Sequence, residues 1–249
     1  MECGGPRSVR VRPPGLTPEP FTQRVPKSVA TFTMRPIPQS STWMAETETT
    51  WDAYDVFLLR LDIPPERRGS AEADPGPDAI TRPTPPYSPP DRGWGHAGYP
   101  AVGVTFNAAT QYCRWLSQST GRHYRLPTVA EWQHACRASV ENKQRDVPVA
   151  ARAWCAENSD EKTHAVATKL PDGFGLHDML GNVAEWCIDA DGSPVVCGGS
   201  FQTPPDQLSC TLIERPSPDW QASDPSFPRS KWWLADAPLV GFRVVCHGP

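Results

Sequence analysis

The sequence predicts a single α+β domain, with helices in its first half and an irregular, strand-rich second half. Three observations carry this. Helix caps followed by apolar residues at helical spacing recur before residue 140. From 140 to 249 the apolar runs are short and broken by turn residues and tryptophans. Strands and helices do not alternate as βαβ units require. At 249 residues, 38% of them apolar, the chain can bury a sizeable core.

Residues 1–28, rich in Pro, Arg and Gly, read as a flexible leader ahead of a domain over 29–249. Residues 29–45 alternate apolar and polar in places and predict one or two short strands. Thr49 and Asp52 stand at capping-box spacing and open a helix. Its apolar face is Trp51, Tyr54, Leu58 and Leu61, read as core packing, and Pro64-Pro65 stops it. Residues 64–98 are a long loop of Pro, Gly and charged residues, either wrapping the surface or functional. Tyr99–Thr105 reads as a strand. Thr105 caps a second helix that buries Ala108, Ala109, Tyr112, Trp115 and Leu116 and ends near Gly121. Tyr124–Pro127 is an extended link. Thr128 and Glu131 form a capping box, and a third helix runs to about Ala138 with Trp132 and Cys136 inward. Asp191-Gly192 signals a hairpin, and Leu239–Cys246 a final buried strand.

A formal charge of −4 and the lack of a basic face argue against nucleic acid. No apolar run is long enough to span a membrane. Eight cysteines without CxxC or zinc spacing leave disulfides open, which points outside the cytoplasm. The first residues, MECGGPRSVRVRPPG, show no signal-peptide h-region, so a cytoplasmic location stays open. The six histidines are scattered along the chain and read as surface or satisfied core residues.

Four pieces stand in order: YRLPTVAEWQHACRA (124–138), GLHDMLGNVAEWCID (175–189), CGGSF (197–201) and GFRVV (241–245). Together they resemble the formylglycine-generating enzyme, or sulfatase-modifying factor, family from roughly Phe32 to Cys246. The resemblance implies an irregular, C-type-lectin-like α+β domain. Active oxidases of that family carry a cysteine pair just after the GGS-aromatic strand, which binds copper(I) and oxygen and converts a substrate cysteine to formylglycine. Here Thr203 and Leu208 stand at those positions, and neither side chain holds copper(I). Ser200 matches the family's serine. Cys197 and Cys210 flank the site and are the candidates for a relocated pair.

Asp178, Gly181, Val183 and Glu185 offer two carboxylates and two backbone carbonyls within eight residues, a donor set suited to calcium. The resemblance makes these four positions calcium ligands. The competing reading has Asp178 and Glu185 capping turns and pairing with arginines. A second calcium site would start at Asn158 and Ser159, although its acidic partner is not evident in DEKTHAV. The resemblance also implies the disulfides Cys113–Cys246 and Cys136–Cys210; Cys187 and Cys197, flanking the hairpin, are a further pair. The family's glycine-rich hairpin between segments like MRPIP and WMAETETTW is expected to be missing, since only QSST joins them.

The insert Arg215–Ala237 brings Trp220, Trp232 and Trp233 together with Arg229 and Lys231 over the family's substrate groove. Exposed tryptophans suit stacking on a glycan or peptide, and packing onto the β half is the alternative. Three functions follow: a divergent, non-catalytic, calcium-stabilised scaffold or binding domain, favoured by Thr203 and Leu208; an oxidase with relocated cysteines; or a glycan- or peptide-binding module.

Overall fold

The computed structural model describes residues 18–68, 82–84, 86, 88–141 and 147–248. Its strands and helices run β1 (Phe21–Arg24), β2 (Thr31–Pro36), β3 (Thr42–Ala45), α1 (Trp51–Leu58), α2 (Phe106–Thr120), β4 (Tyr124–Arg125), α3 (Val129–Glu141) and α4 (Val149–Arg152). The second half adds β5 (Ala184–Ile188), β6 (Pro194–Cys197), β7 (Ile213–Glu214), β8 (Val240–Gly241) and β9 (Val245–His247). One sheet has the order β1-β2-β3-β9-β4 and the other β7-β6-β5-β8. This is the irregular α+β arrangement expected.

Local signals built α2 and α3. Thr105 accepts the Ala108 N–H at the start of α2, and Gly121, at φ 74, turns the chain out of its end. Thr128 and Glu131 exchange the two bonds of a capping box at α3 (3.2 and 2.9 Å). The helix runs to Glu141, past the expected Ala138.

Four expectations need correction. The leader does not extend to residue 28, because Phe21–Arg24 pairs antiparallel with β2; residues 1–17 lie outside the described residues. Helix α1 starts from Thr50 without a side-chain cap. Thr49 is fixed in extended backbone by bonds to Phe242 and Ala101, while Asp52 accepts the Gly98 N–H. Arg60 at φ 55 ends the helical path before Pro64, so Leu61 is left exposed while Trp51, Tyr54 and Leu58 are buried. Tyr99–Thr105 forms isolated bridges, Thr50–Pro100 and Val104–Trp233, because its partners lie in different elements. The last strand is split. β8 runs parallel to β5, β9 crosses to the other sheet between β3 and β4, and Phe242–Val244 spans the gap.

QSST joins β2 to β3 as a short antiparallel hairpin, with Ile37 N–H bonded to Thr42 O. The loop after α1 is partly docked: Arg82 grips Asp62 at 2.7 and 2.8 Å and lies over the Phe57 and Trp115 rings. Two main apolar clusters form the core. The larger joins α1, α2 and β5 through Trp51, Tyr54, Phe57, Tyr112, Trp186 and Phe242. The smaller packs α3 against β5 and β6 through Trp132, Cys136, Cys187 and Cys197. No helix among the described residues is long and apolar enough to cross a membrane.

Candidate functional site

The segment Gly175–Trp186 crosses the gap between the two sheets. Gly181 sits at φ 76, and a Cβ there would lie 2.1 Å from Trp154 O, so only glycine fits. Asn182, also at positive φ, is fully buried. Its amide donates to Glu48 Oε1 (3.0 Å) and its carbonyl oxygen accepts the His164 N–H (3.0 Å). Asp178 Oδ2 accepts the Ala167 N–H at 2.8 Å. Glu185 receives Arg243 on both oxygens (2.6–2.9 Å) and the Trp132 indole N–H at 2.8 Å. The remaining Arg243 donors go to the carbonyls of Ala45, Glu46 and His177.

Glu48, Asp178, Glu185 and Arg243 are all buried. Three carboxylates therefore face one guanidinium away from water, a surplus of negative charge that a proton or a cation has to offset. Burial, then the Asp178 carboxylate, push Glu48 well above the usual carboxylate range. Burial raises Asp178 as well, against the Ala167 N–H. For Arg243 burial opposes the charge, but Glu185 overrides it and holds the guanidinium protonated. Two carboxylate oxygens of the cluster, Glu48 Oε2 and Asp178 Oδ1, have no hydrogen-bond partner among the described residues.

Calcium fits these residues in part. Asp178 keeps one free, buried oxygen, but Glu185 is engaged by Arg243 and Trp132. Among the described residues no three His, Cys, Asp or Glu side chains group as a metal centre, so backbone carbonyls would have to complete the coordination. Asn158 and Ser159 have their side chains spent locally, on the Cys155 N–H and the Ala150, Ala153 and Phe201 carbonyls.

The second feature is a cleft of ≈ 250 Å³ lined by Gly199, Ser200, Gln202, Thr203, Gln207 and Glu214, among others. Thr203 Oγ1 accepts the Ser200 N–H (2.9 Å), and Ser200 Oγ accepts the Gln202 N–H (3.2 Å). Leu208 is buried with Ala153 and Cys155. Both positions are therefore occupied by packing and turn contacts, with no thiol at either. Cys155, to which sequence reasoning gave no role, is the buried thiol beside Leu208; nothing in its local sequence signals that contact.

The sulfatase-modifying factor enzyme 1-like domain model matches residues 39–247. The chain belongs to this family. It is 31% identical over 153 residues to the serine/threonine-protein kinase pkn1 of Chlamydia pneumoniae, covering 50% of this chain and 22% of that one. It is 30% identical over 109 residues to the formylglycine-generating enzyme of Mus musculus, covering 37% of this chain and 28% of that enzyme. The matches thus span only about a quarter of these curated relatives. Treponema denticola variable protein 1 shares the fold, with TM-score 0.63 at 20% identity over 93% of this chain and 100% of that structure.

Of the cysteines that the sulfatase-modifying factor resemblance would pair, Cys136 on α3 is bonded to Cys210, Cα atoms 5.6 Å apart. Cys210 is therefore not free for copper or oxygen chemistry. Cys197 is buried, with its thiol in hydrogen-bonding contact with Cys187. The other implied bridge, Cys113–Cys246, is not formed, and both thiols are buried. In the β9 register Cys246 pairs with Trp43 and Tyr124, and Arg125 stands near both thiols. Burial pushes the Cys246 thiol up to about 11 and Cys113 higher still.

In this family member the tryptophan insert is anchored. Trp220 packs edge-on against Trp186, and Trp233 against Tyr54, with its indole N–H on Thr84 O (2.9 Å). Arg229 donates to Pro218 O and Gln221 O and thereby ties the insert to itself. Arg92 reaches across to Ala235 O at 2.7 Å. Between insert and loop lies a cleft of ≈ 640 Å³, lined in part by Pro89, Arg92, Arg229, Lys231, Trp232 and Trp233. The tryptophans are half-buried and pack on the core, as the packing alternative expects, and Trp232 and Trp233 also line the cleft.

Proposed function

We propose that this chain is a non-catalytic member of the sulfatase-modifying factor family, a binding domain on a cation-stabilised scaffold, with a peptide or glycan ligand seated beneath the tryptophan insert. The observation that carries it is the pair Thr203 and Leu208. A hydroxyl already engaged as a turn acceptor and a buried aliphatic chain stand where copper(I) would need two thiolates. The relocated-cysteine alternative loses Cys210 to its bridge with Cys136. The cleft supports binding because its two walls are tied by the Trp233–Thr84 and Arg92–Ala235 bonds, so little ordering entropy is lost on association.

The test has two arms. The purified protein is incubated with a Cys-x-Pro-x-Arg peptide, copper and reductant under air, and the peptide mass is read; formylglycine formation overturns the non-catalytic reading. Peptide and glycan arrays are then probed with the protein and with Trp232→Ala. A hit that Trp232→Ala loses supports the cleft, and silence on both arrays overturns the binding reading. For the scaffold, calcium is the proposed cation, supported by the buried charge surplus and the free Asp178 oxygen, with the Gly181 and Val183 carbonyls as further donors. A melting midpoint that does not move with chelator overturns it.

A further inference from the structure

The cleft beneath the tryptophan insert carries an uneven charge. Arg92, Arg229 and Lys231 line it, and Asp224 is the one carboxylate among its described lining residues. The Ser230 N–H (2.7 Å), then that of Ser226 (2.9 Å), hold the Asp224 carboxyl below the usual carboxylate range. Asp236 stands close enough to feel both arginines, and it is engaged by Ser223. Even with Asp236 included, cations outnumber carboxylates three to two. The chain as a whole carries −4, so the cleft runs against the sign of its composition.

A second, independent observation is which hydrogen-bond donors the walls leave for a ligand. The Gly103 N–H bonds to Val240 O, the Leu234 N–H to Gly103 O, and the Trp232 and Trp233 N–H groups to Ser230 Oγ. Five of the lining residues are prolines, which have no N–H. A peptide that docks by adding a strand needs unpaired backbone donors along an edge, and here they are paired or missing. The donors that remain are on side chains. Among the described residues no hydrogen bond is made to Lys231 Nζ or to the Trp232 indole N–H. Arg92 and Arg229 each engage backbone carbonyls through one terminal nitrogen, which leaves the rest of each guanidinium to a ligand.

The walls therefore suit a ligand with negative charge, many acceptors and a flat apolar face. A sugar acid has all three: an anionic group, ring hydroxyls, and a C–H face that stacks on an indole. At ≈ 640 Å³ the cleft falls within the range of about 300–1,000 Å³ that encloses a small ligand. We propose that the ligand of this cleft is an acidic glycan, with its carboxylate or sulfate held by Arg92, Arg229 and Lys231 and a sugar face stacked on Trp232. This rests on the reading above that the cleft binds a ligand, and it names the class.

The experiment is titration calorimetry on the whole chain with four probes: a hyaluronan oligosaccharide, which carries carboxylate alone, a heparin oligosaccharide, which adds sulfate, an uncharged malto-oligosaccharide and an oligoglutamate peptide. At least one acidic glycan is expected to bind, and binding should weaken at high salt. Hyaluronan binding assigns the site to carboxylate, and binding of heparin alone assigns it to sulfate. Lys231→Glu leaves the backbone carbonyl that Thr105 and Asn107 use, and should weaken acidic-glycan binding by about tenfold or more. If Lys231→Glu does not fold by circular dichroism, Lys231→Gln takes its place. Trp232→Ala should lose binding of every probe. A malto-oligosaccharide or oligoglutamate that binds more tightly than both acidic glycans, and that Trp232→Ala loses, overturns the acidic-glycan assignment alone. Acidic-glycan binding that the Lys231 variant does not weaken overturns it too. No binding of any probe, with silent peptide and glycan arrays, overturns the binding reading and this inference with it.

Discussion

Replacing Arg243 with methionine isolates the ion pair at the centre of the fold. Arg243 is fully buried, binds both Glu185 oxygens, and donates to the carbonyls of Ala45, Glu46 and His177. The substitution leaves Glu185 charged and buried beside Glu48 and Asp178. Breaking one partner of a buried pair costs about 3–5 kcal/mol. That is about a fifth or more of the ~5–15 kcal/mol by which a domain is ordinarily stable. At roughly 2–4 °C per kcal/mol for a chain of this size, the midpoint should fall by about 10 °C. Urea denaturation with an unchanged slope would give the free energy directly. The double variant Arg243→Met/Glu185→Met removes the orphaned carboxylate and should recover about half the loss. Recovery stays incomplete because three carbonyls and the Trp132 N–H lose their partners. A loss below ~1 kcal/mol for Arg243→Met, or a double variant as unstable as the sum of the singles, would refute the reasoning.

Other perturbations test separate parts of the structure. Burial pushes Glu131 up from 4.5, but Arg125 and the Thr128 N–H override it and bring it to about 2. Its contribution is therefore complete above pH 4.5 and lost as pH falls from there toward 2. The full shift corresponds to about 3 kcal/mol, and partial exposure reduces this to ~1–2 kcal/mol; Glu131→Gln should flatten that limb of an acid-unfolding curve. Gly181→Ala places its Cβ 2.1 Å from Trp154 O at a positive φ, so a loss of ~3 kcal/mol or failure to fold is expected, read by soluble yield and melting. Reducing Cys136–Cys210, which are 74 residues apart, should cost ~4 kcal/mol by chain entropy, seen as a lower urea midpoint in dithiothreitol.

Elements whose signals are local were legible in the sequence, and those assembled from distant chain were not. Thr105, Gly121, Thr128 and Glu131 each act within a few residues, and α2 and α3 form where they say. Thr49 and Asp52 carry the same kind of signal, yet Phe242, Ala101 and Gly98, all far along the chain, claim them first. The same distinction governs the site. GLHDMLGNVAEW shows its own carboxylates, but not that Glu185 faces Arg243, 58 residues on, or that Asn182 holds Glu48, 134 residues back. One half of that was open to sequence reasoning: an arginine inside the buried run GFRVV requires a buried acid, and Glu185 is an acid on another buried strand. Glu48, within the polar run ETETT, carries no such mark. It becomes significant only because Arg243 is already engaged by Glu185 and backbone carbonyls, which leaves two buried carboxylates with an oxygen each that has no hydrogen-bond partner among the described residues.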